Sequence, residues 1–176
     1  LKIQPELVLP ASTGVIGLPL PMDKIREGTL SIATNLDNSA EAVESFARAI
    51  MTTDTHPKWR NARSGHASLL GVAKGSGMIE PNMATMLSYL VTDAEIDHSK
   101  LQEMLKRAVD SSFNRISIDT DTSTSDMVVL MANGMAGRVN EDEFEKNLNG
   151  LCQDLAKDLV RDGEGVTKLI ELKISG

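Results

Sequence analysis

Residues 86–92 read Met-Leu-Ser-Tyr-Leu-Val-Thr, and this stretch decides the fold class. Nearly every position is apolar, which is typical of a strand that is buried on both of its faces. Short apolar runs at 68–73 and 127–132 predict neighbouring strands, and the turn dipeptide Asn133-Gly134 ends the second of them. Weaker patterns predict three further strands, at residues 7–10, 115–119 and 166–175. The chain therefore contains a sheet with a buried interior.

Segments with helical periodicity alternate with these strands, because their apolar residues recur three and four positions apart. Two of the segments begin with a capping residue that is followed by Glu three positions later: Asn38 with Glu41, and Asn140 with Glu143. The predicted helices cover residues 22–34, residues 38–51, a segment that begins at Asp97 or Ser99, and a long segment after Asn140. Interleaved helices and strands pack most simply as a layered α/β (α+β) sandwich, in which helices cover a buried sheet.

The composition excludes several classes of protein. With 41% apolar residues, the 176-residue chain is globular rather than disordered. A net charge of −7 argues against nucleic acid as the main partner, and no run of about 18 apolar residues predicts a membrane-spanning helix. The single cysteine fits a reducing compartment, so we expect a cytoplasmic protein, or a mitochondrial-matrix protein in a eukaryote. We interpret the chain, which starts at Leu1, as an excerpt of a longer protein.

The common catalytic side chains form no convincing site in the sequence. A serine–histidine–aspartate triad needs a histidine that a carboxylate orients, and no histidine here lies in a recognisable motif. The three histidines are His56, His66 and His98. Cys152 sits beside the apolar stripe of the last helix, which favours a buried and unreactive thiol.

The polar segment 119–126 begins like a calcium loop, with oxygen-bearing side chains at alternate positions. The match then fails, because Thr124 stands where the loop needs glycine and Leu130 stands where it needs glutamate. We therefore expect a structural loop, or one that shapes a site from behind. We expect no metal ion and no cofactor.

The dipeptide Ala84-Thr85 permits a different chemistry. Gly75, Gly77 and Pro81 upstream allow a bent backbone, and a stiff buried strand follows Thr85. A hydroxyl that is held in a strained geometry can attack the preceding carbonyl, and hydrolysis of the resulting ester leaves threonine with a free amine. That amine can act as the base for its own hydroxyl, so no histidine is needed. An ordinary Ala-Thr pair before a strand remains the alternative.

Six segments carry a more specific signal. They are Ala-Ser-Thr-Gly-Val-Ile-Gly at 11–17, Ala-Ile-Met-Thr-Thr-Asp-Thr at 49–55, Ala-Lys-Gly-Ser-Gly-Met-Ile-Glu-Pro-Asn-Met-Ala-Thr-Met-Leu at 73–87, Ser-Phe-Asn-Arg-Ile at 112–116, Asp-Thr-Ser-Thr-Ser-Asp at 121–126 and Arg-Asp-Gly-Glu-Gly-Val-Thr-Lys at 161–168. In this order they resemble the ornithine acetyltransferase family, whose members are also called glutamate N-acetyltransferases. The similarity spans nearly the whole chain.

The resemblance implies an enzyme that cuts itself between Ala84 and Thr85. Thr85 would then accept acetyl from N-acetylornithine and pass it to glutamate. Thr13 and Gly14 match positions that form the oxyanion hole, where donors face the developing negative charge. The matched substrate-binding positions are Thr52, Thr53, Lys74 and Glu164, with Lys74 suited to a carboxylate and Glu164 to an amino group. The sequence does not decide between Thr52 and Thr53.

The resemblance also implies an assembly. Residues 1–84 correspond to the C-terminal part of an α chain, and residues 85–176 correspond to the N-terminal part of a β chain. The two fragments would stay together as one unit, in a heterotetramer of two α and two β chains. The implied fold is the layered sandwich of ornithine acetyltransferases and of DmpA. Acetyl-coenzyme A is a second donor in some family members, and the sequence leaves this open.

Some features depart from the family pattern. Further N-terminal and C-terminal portions of the family are missing here, and Thr120 stands where glycine is common. Two other functions therefore stay open. One is a hydrolase, such as an aminopeptidase or amidase, of related self-processing fold. The other is an inactive truncated subunit.

Overall fold

The computed structural model describes residues 3–79, 86–121 and 123–175. Ala84 and Thr85 lie outside the described residues, and so does the predicted cleavage position. The regular elements are α1 (Met22–Ile32), α2 (Ala40–Ala49), β1 (Lys58–Ser64), β2 (Ala67–Lys74), β3 (Leu87–Glu95), α3 (His98–Asp110), β4 (Met127–Arg138) and α4 (Glu141–Arg161), with short 3-10 helices at Pro5–Leu7 and Phe113–Arg115. The α/β class predicted from the sequence is confirmed.

Four strands form one sheet in the order β1-β2-β3-β4. The pairs β1–β2 and β2–β3 are antiparallel, whereas β3 and β4 run parallel. A parallel pair needs a crossover connection, and α3 lies within it. In this register Lys74 at the end of β2 pairs with Leu87, and Leu87 pairs with Met127 at the start of β4. The end of β2 and the beginnings of β3 and β4 therefore lie at the same end of the sheet.

Helices α3 and α4 cover one face of the sheet and build the hydrophobic core with it. Leu90 of β3 and Leu155 and Leu159 of α4 have no exposed surface. Burial of a leucine side chain contributes about 1.5–3 kcal/mol to the free energy of folding. Gly71 allows α4 to approach β2 closely, because a Cβ there would lie 2.6 Å from a methyl group of Leu151.

Helix α2 covers part of the opposite face. The ring of Phe46 meets the ring of Tyr89 edge to face, with 5.4 Å between their centroids. Farther along the same face, Val91 of β3 is 36% exposed and Met131 of β4 is 51% exposed. Burial of β3 on both faces, as predicted from its apolar run, is therefore wrong at this end, because α2 does not reach it.

Three predicted strands are absent from the described part of the chain. Residues 7–10 are exposed, with Leu7 ending a 3-10 helix and residues 8–10 irregular, and residues 166–175 are irregular and mostly exposed. Residues 115–119 contain no strand, although the Ile118 N–H donates to the Ile79 carbonyl at 2.7 Å. Alternating apolar residues form a strand only where a neighbouring strand takes up their backbone hydrogen bonds, and these segments have no such neighbour among the described strands.

The helix starts agree with the sequence except at α2. Asn140 caps α4 as predicted, because its side chain accepts a hydrogen bond from the Glu143 N–H at 2.9 Å. Helix α3 follows Asp97, one of the two predicted starts. Helix α2 is capped by Ser39 rather than by Asn38, since the Ser39 hydroxyl accepts the Ala42 N–H at 3.2 Å.

Two strands differ from the prediction in extent. Strand β4 continues to Arg138, because Asn133-Gly134 lies within the strand at a register irregularity instead of ending it. Gly134 takes a φ of 72° there, which suits a bulge. Strand β1 was not predicted, because its sequence Lys-Trp-Arg-Asn-Ala-Arg-Ser carries charged residues on the face that meets α4.

The N-terminal segment, residues 3–36, forms only local interactions among the described residues. Its hydrogen bonds join residues of this same segment, and α1 contains no buried residue. Within the described ranges, no helix is both long enough and apolar enough to cross a membrane.

Candidate active site

The turn that follows β2, residues 74–79, is held by two other parts of the chain. The Gly75 N–H donates to a carboxylate oxygen of Asp54 at 2.7 Å. The Ser76 carbonyl accepts a hydrogen bond from the Glu164 N–H at 2.6 Å. Segments that lie far apart in sequence therefore meet at this turn.

Asp119 holds the far end of the turn 74–79. One of its carboxylate oxygens accepts the Met78 N–H at 2.6 Å, and the other accepts the Ile79 N–H at 2.9 Å. Met78 has a φ of 53°, a left-handed conformation that a non-glycine residue keeps only where its surroundings hold it. The polar loop that begins at Asp119 thus shapes the turn from behind, which was one of the two roles expected for it.

The threonine pair lies beside the same turn. The hydroxyl of Thr53 shares a hydrogen bond with the hydroxyl of Ser76, at 3.0 Å. The Thr52 N–H donates to Asp54 at 3.1 Å. Of the two threonines, Thr53 is the one whose side chain contacts the turn, a distinction that the sequence did not make.

Glu164 lies in the loop that follows α4, and its carboxylate rests against Gly77. A Cβ built on Gly77 would come within 2.9 Å of the Glu164 carboxyl carbon, closer than carbon atoms approach each other. Glu164 is exposed, so its charge remains accessible at the rim of the turn.

A buried ion cluster lies beneath these contacts. The Lys58 ammonium lies 2.6 Å from Asp54 and 2.5 Å from Asp162, and all three side chains are at most 3% exposed. Burial alone raises the pKa of both carboxyl groups. The hydrogen bonds from Lys58 and from backbone N–H groups outweigh burial, and both pKa values fall below the usual range. Both carboxylates are therefore charged at neutral pH.

Lys74 is buried at the end of β2, with 1% of its surface exposed. Burial lowers the pKa of its ammonium, and the negative charges of Asp54 and Asp126 partly oppose that decrease. A buried ammonium in these surroundings binds an anionic group strongly when that group replaces water at the nitrogen.

Asp126 stands immediately before β4, and its carboxylate contacts Met86, the first described residue after residues 80–85. One of its carboxylate oxygens accepts the Met86 N–H at 2.6 Å, and the other is buried without a hydrogen-bond partner. Burial raises the pKa of Asp126, against the lowering effects of the Met86 N–H and the Lys74 charge. The sequence reasoning assigned no role to Asp126, although an acidic residue that flanks a buried strand is a recognisable signal.

The proposed oxyanion residues lie elsewhere in the structure. Thr13 is half-exposed and Gly14 is exposed, within the N-terminal segment. The nearest atom to a Cβ built on Gly14 is a methyl carbon of Leu20, at 3.9 Å. The described contacts do not bring Thr13 and Gly14 to the turn at 74–79, and their role stays a prediction.

Cys152, which the sequence placed in a helix stripe, is fully buried in the core. Burial raises the pKa of its thiol to about 12, and the prediction of a buried cysteine is confirmed. His56 has a half-exposed side chain, and its Nδ1 lies 3.3 Å from the Asp162 carboxylate. In the described ranges, no group of three acidic, histidine or cysteine residues is arranged to hold a metal ion.

The comparison with protein families decides the identity of the chain. The model of the ArgJ family matches residues 1–176, the full length. This chain belongs to the ArgJ family. The resemblance stated from the six sequence segments is therefore confirmed.

Individual proteins with ArgJ-type names are similar to all or part of this chain. "Arginine biosynthesis bifunctional protein ArgJ 2" of Clostridium acetobutylicum is 56% identical over 100% of this chain and 45% of its own length. "Glutamate N-acetyltransferase Oat2" of Streptomyces clavuligerus is 48% identical over 96% of this chain and 42% of its own. A crystal structure of "Arginine biosynthesis bifunctional protein argJ" from Bacillus halodurans is 48% identical, over 43% of this chain and 39% of that one, with a TM-score of 0.41. The chain spans less than half the length of the curated ArgJ relatives it matches.

Three of the residues singled out in this ArgJ chain from the sequence come together in the fold. Thr53 contacts the turn 74–79, Lys74 begins it, and Glu164 rests against it. The ion cluster beneath them was missed. Asp54 and Asp162 lie inside quoted segments but looked like loop residues, and Lys58 belongs to the strand that the sequence did not predict.

Proposed function

We propose that this chain is part of an acetyltransferase of arginine biosynthesis that moves acetyl from N-acetylornithine to glutamate. The observation that carries the proposal is the meeting of three family-like segments at one turn: Thr53 bonds to Ser76, and Glu164 lies against Gly77. The names of the relatives, which include a glutamate N-acetyltransferase, support the same activity.

Thr85 is the proposed nucleophile. Its hydroxyl oxygen attacks the acetyl carbonyl of N-acetylornithine, and its own free amine takes the hydroxyl proton. The amide C–N bond then breaks, ornithine leaves with that proton, and acetyl remains on Thr85 as an ester. The neutral amine of glutamate attacks the ester, which releases N-acetylglutamate and restores the hydroxyl. Thr13 and Gly14 are the proposed donors to the negative oxygen that forms in each step.

Lys74 and Glu164 are the proposed recognition groups for the amino-acid part of both substrates. Each substrate carries a carboxylate and a nitrogen atom on its α-carbon. The Lys74 cation and the Glu164 anion, on opposite sides of one turn, are suited to bind the carboxylate and the nitrogen, respectively. Burial strengthens the attraction between Lys74 and a carboxylate, because little water screens it. Thr53, which touches the turn, is the better candidate of the threonine pair for a substrate contact.

Self-cleavage between Ala84 and Thr85 is part of the proposal, since it supplies the free amine that acts as base. Residues 1–84 and 85–176 would then belong to two fragments that stay together in a heterotetramer of two α and two β chains. We place this enzyme in the cytoplasm. Acetyl-coenzyme A is a further donor if the protein is bifunctional, as the name of the Clostridium acetobutylicum relative states for that protein.

The test compares Thr85→Ala with Thr85→Ser in the full-length protein. We expect Thr85→Ala to remain one uncut chain by intact mass and to lose acetyl transfer by about 10³-fold or more. Thr85→Ser keeps a hydroxyl and should still be cut and transfer acetyl, at a reduced rate. Normal transfer by Thr85→Ala would contradict the proposal. Release of free acetate without transfer to glutamate by the wild type would instead identify a hydrolase.

A further inference from the structure

The Lys58 ammonium joins two stretches of chain that are distant in sequence, residues 54–58 and the C-terminal end of α4. It lies 2.6 Å from Asp54, which follows the threonine pair, and 2.5 Å from Asp162 at the end of α4. Lys58 itself extends from β1. The three side chains are 0%, 0% and 3% exposed, and their charged atoms bond to one another and to backbone N–H groups.

Each carboxylate of the buried triad also holds backbone near the candidate site. Asp54 accepts the Gly75 N–H at 2.7 Å, directly after Lys74, and the Thr52 N–H at 3.1 Å. Both contacts bind the turn and the threonine loop to the same carboxylate.

Asp162, the second carboxylate of the buried triad, binds the threonine loop as well. It accepts the Thr55 N–H at 3.0 Å and a further hydrogen bond from the Thr55 hydroxyl. Glu164 follows Asp162 by two residues, and its N–H donates to Ser76. The loop that carries Glu164 is therefore tied at Asp162 to the threonine loop and at Ser76 to the turn.

We infer that the buried triad Asp54–Lys58–Asp162 is the positioning centre of the site, which sets Thr53, Lys74 and Glu164 at the spacing that the amino-acid substrates require. This inference rests on the proposed function. A buried ion pair is weak evidence for a stabilising role, because desolvation offsets much of its attraction, whereas hydrogen bonds from three loops to one cluster restrict geometry. Small displacements of such groups reduce substrate binding strongly.

The test variant is Asp162→Asn in the full-length protein. It keeps the shape of the side chain and one acceptor oxygen, removes one charge, and leaves Lys58 paired with Asp54. The matched control is Asp158→Asn, one turn earlier on α4, where the carboxylate pairs with Arg60 and Arg161 away from the turn. Each variant removes one carboxylate charge at the C-terminal end of α4.

We expect Asp162→Asn to raise KM for N-acetylornithine and for glutamate by about tenfold, which corresponds to about 1.4 kcal/mol, with a smaller change in kcat. Asp158→Asn should leave both KM values within about twofold of the wild type. Equal KM values in the two variants would overturn the inference, even if both unfold more easily.

Hydrogen exchange of residues 75–79 gives a readout that does not depend on activity. We expect faster exchange at these amides in Asp162→Asn than in Asp158→Asn, because the anchoring of the turn is loosened. Exchange that is unchanged in Asp162→Asn would overturn the positioning role. A wild-type protein that transfers no acetyl would refute the proposed function alone, and the exchange comparison would still decide the inference.

Discussion

The carboxylate of Glu164 occupies the space that a side chain on Gly77 would need. A Cβ on Gly77 would lie 2.9 Å from the Glu164 carboxyl carbon and 3.0 Å from one of its oxygens. Gly77 is not in the left-handed region, so its backbone itself would accept alanine. A side chain at position 77 would therefore displace the Glu164 carboxylate.

Gly77→Ala should weaken substrate binding more than it weakens the fold. Glu164 is exposed and can swing away from the new methyl group, which takes its charge from the proposed amino-group site. We expect KM for both amino-acid substrates to rise about tenfold, and the free energy of unfolding to fall by less than about 1 kcal/mol. Steady-state kinetics and urea unfolding measure the two effects. An unchanged KM would show that Glu164 does not contribute to substrate binding.

Thr120→Gly should stabilise the protein. Thr120 has a φ of 63°, where a β-branched side chain is strained, and the family resemblance places glycine at this position. We expect the free energy of unfolding to rise by about 1 kcal/mol, because relief of the strain exceeds the extra entropy of an unfolded glycine. Thr124→Gly is the control, since Thr124 is exposed in the same loop with a negative φ, and it should not stabilise. Equal effects of the two substitutions would contradict the strain argument.

Gly71→Ala should destabilise the core. The new methyl group would lie 2.6 Å from Leu151 and 2.8 Å from Leu90 and Leu155. We expect the free energy of unfolding to fall by about 1–3 kcal/mol, as for other overpacked cores. Gly150→Ala on α4 faces open space and should instead raise it by about 0.5–1 kcal/mol. Chemical denaturation of both variants measures the difference, and a stabilised Gly71→Ala would show that α4 can move away from β2.

Asp126→Asn should change how stability depends on pH. Because burial raises the folded pKa of Asp126, the folded state binds its proton more tightly than the unfolded state does. This group therefore lowers the free energy of unfolding as the pH rises above its ordinary value of 3.8. Asparagine keeps the acceptor for the Met86 N–H and removes this dependence.

Urea unfolding at about pH 4.5 and at about pH 7.5 tests the Asp126 prediction. The variant should gain stability relative to the wild type at the higher pH. Asp54 and Asp162 contribute in the opposite sense, since their lowered pKa values stabilise the fold above 3.8 and this contribution is lost at more acidic pH. If the free energy of unfolding of the wild type exceeded that of the variant, and by more at about pH 7.5 than at about pH 4.5, the Asp126 carboxylate would be stabilising.

Local sequence patterns were sufficient to predict the elements whose buried residues recur at regular intervals along the chain. Helix α4 was predicted from its apolar spacing and from Asn140, because both the cap and the stripe are encoded within one segment. The strands at 68–73 and 127–132 were found for the same reason. Strand β1 was missed, because the charges on its inner face are matched by partners on α4, about a hundred residues away, such as Asp158 opposite Arg60.

Part of the candidate site was also accessible from sequence. Thr53, Lys74 and Glu164 were named because they lie in segments that resemble one family. Lys58 could not be found in this way, since nothing in the sequence says that its ammonium lies between two carboxylates. Its burial is tolerable only because both partners are present, and one of them, Asp162, lies 104 residues away along the chain.

The sequence by itself determined the α/β class, most of the helices and central strands, the buried thiol of Cys152 and the family. Each of these depends on periodicity, capping or identity within short segments. Only the tertiary structure decided that Thr53, not Thr52, contacts Ser76, that Glu164 packs on Gly77, and that a buried Lys58 ties the loops together. The reason is physical: hydrogen bonds and ion pairs act over a few ångströms, and only folding brings residues so distant in sequence within that range.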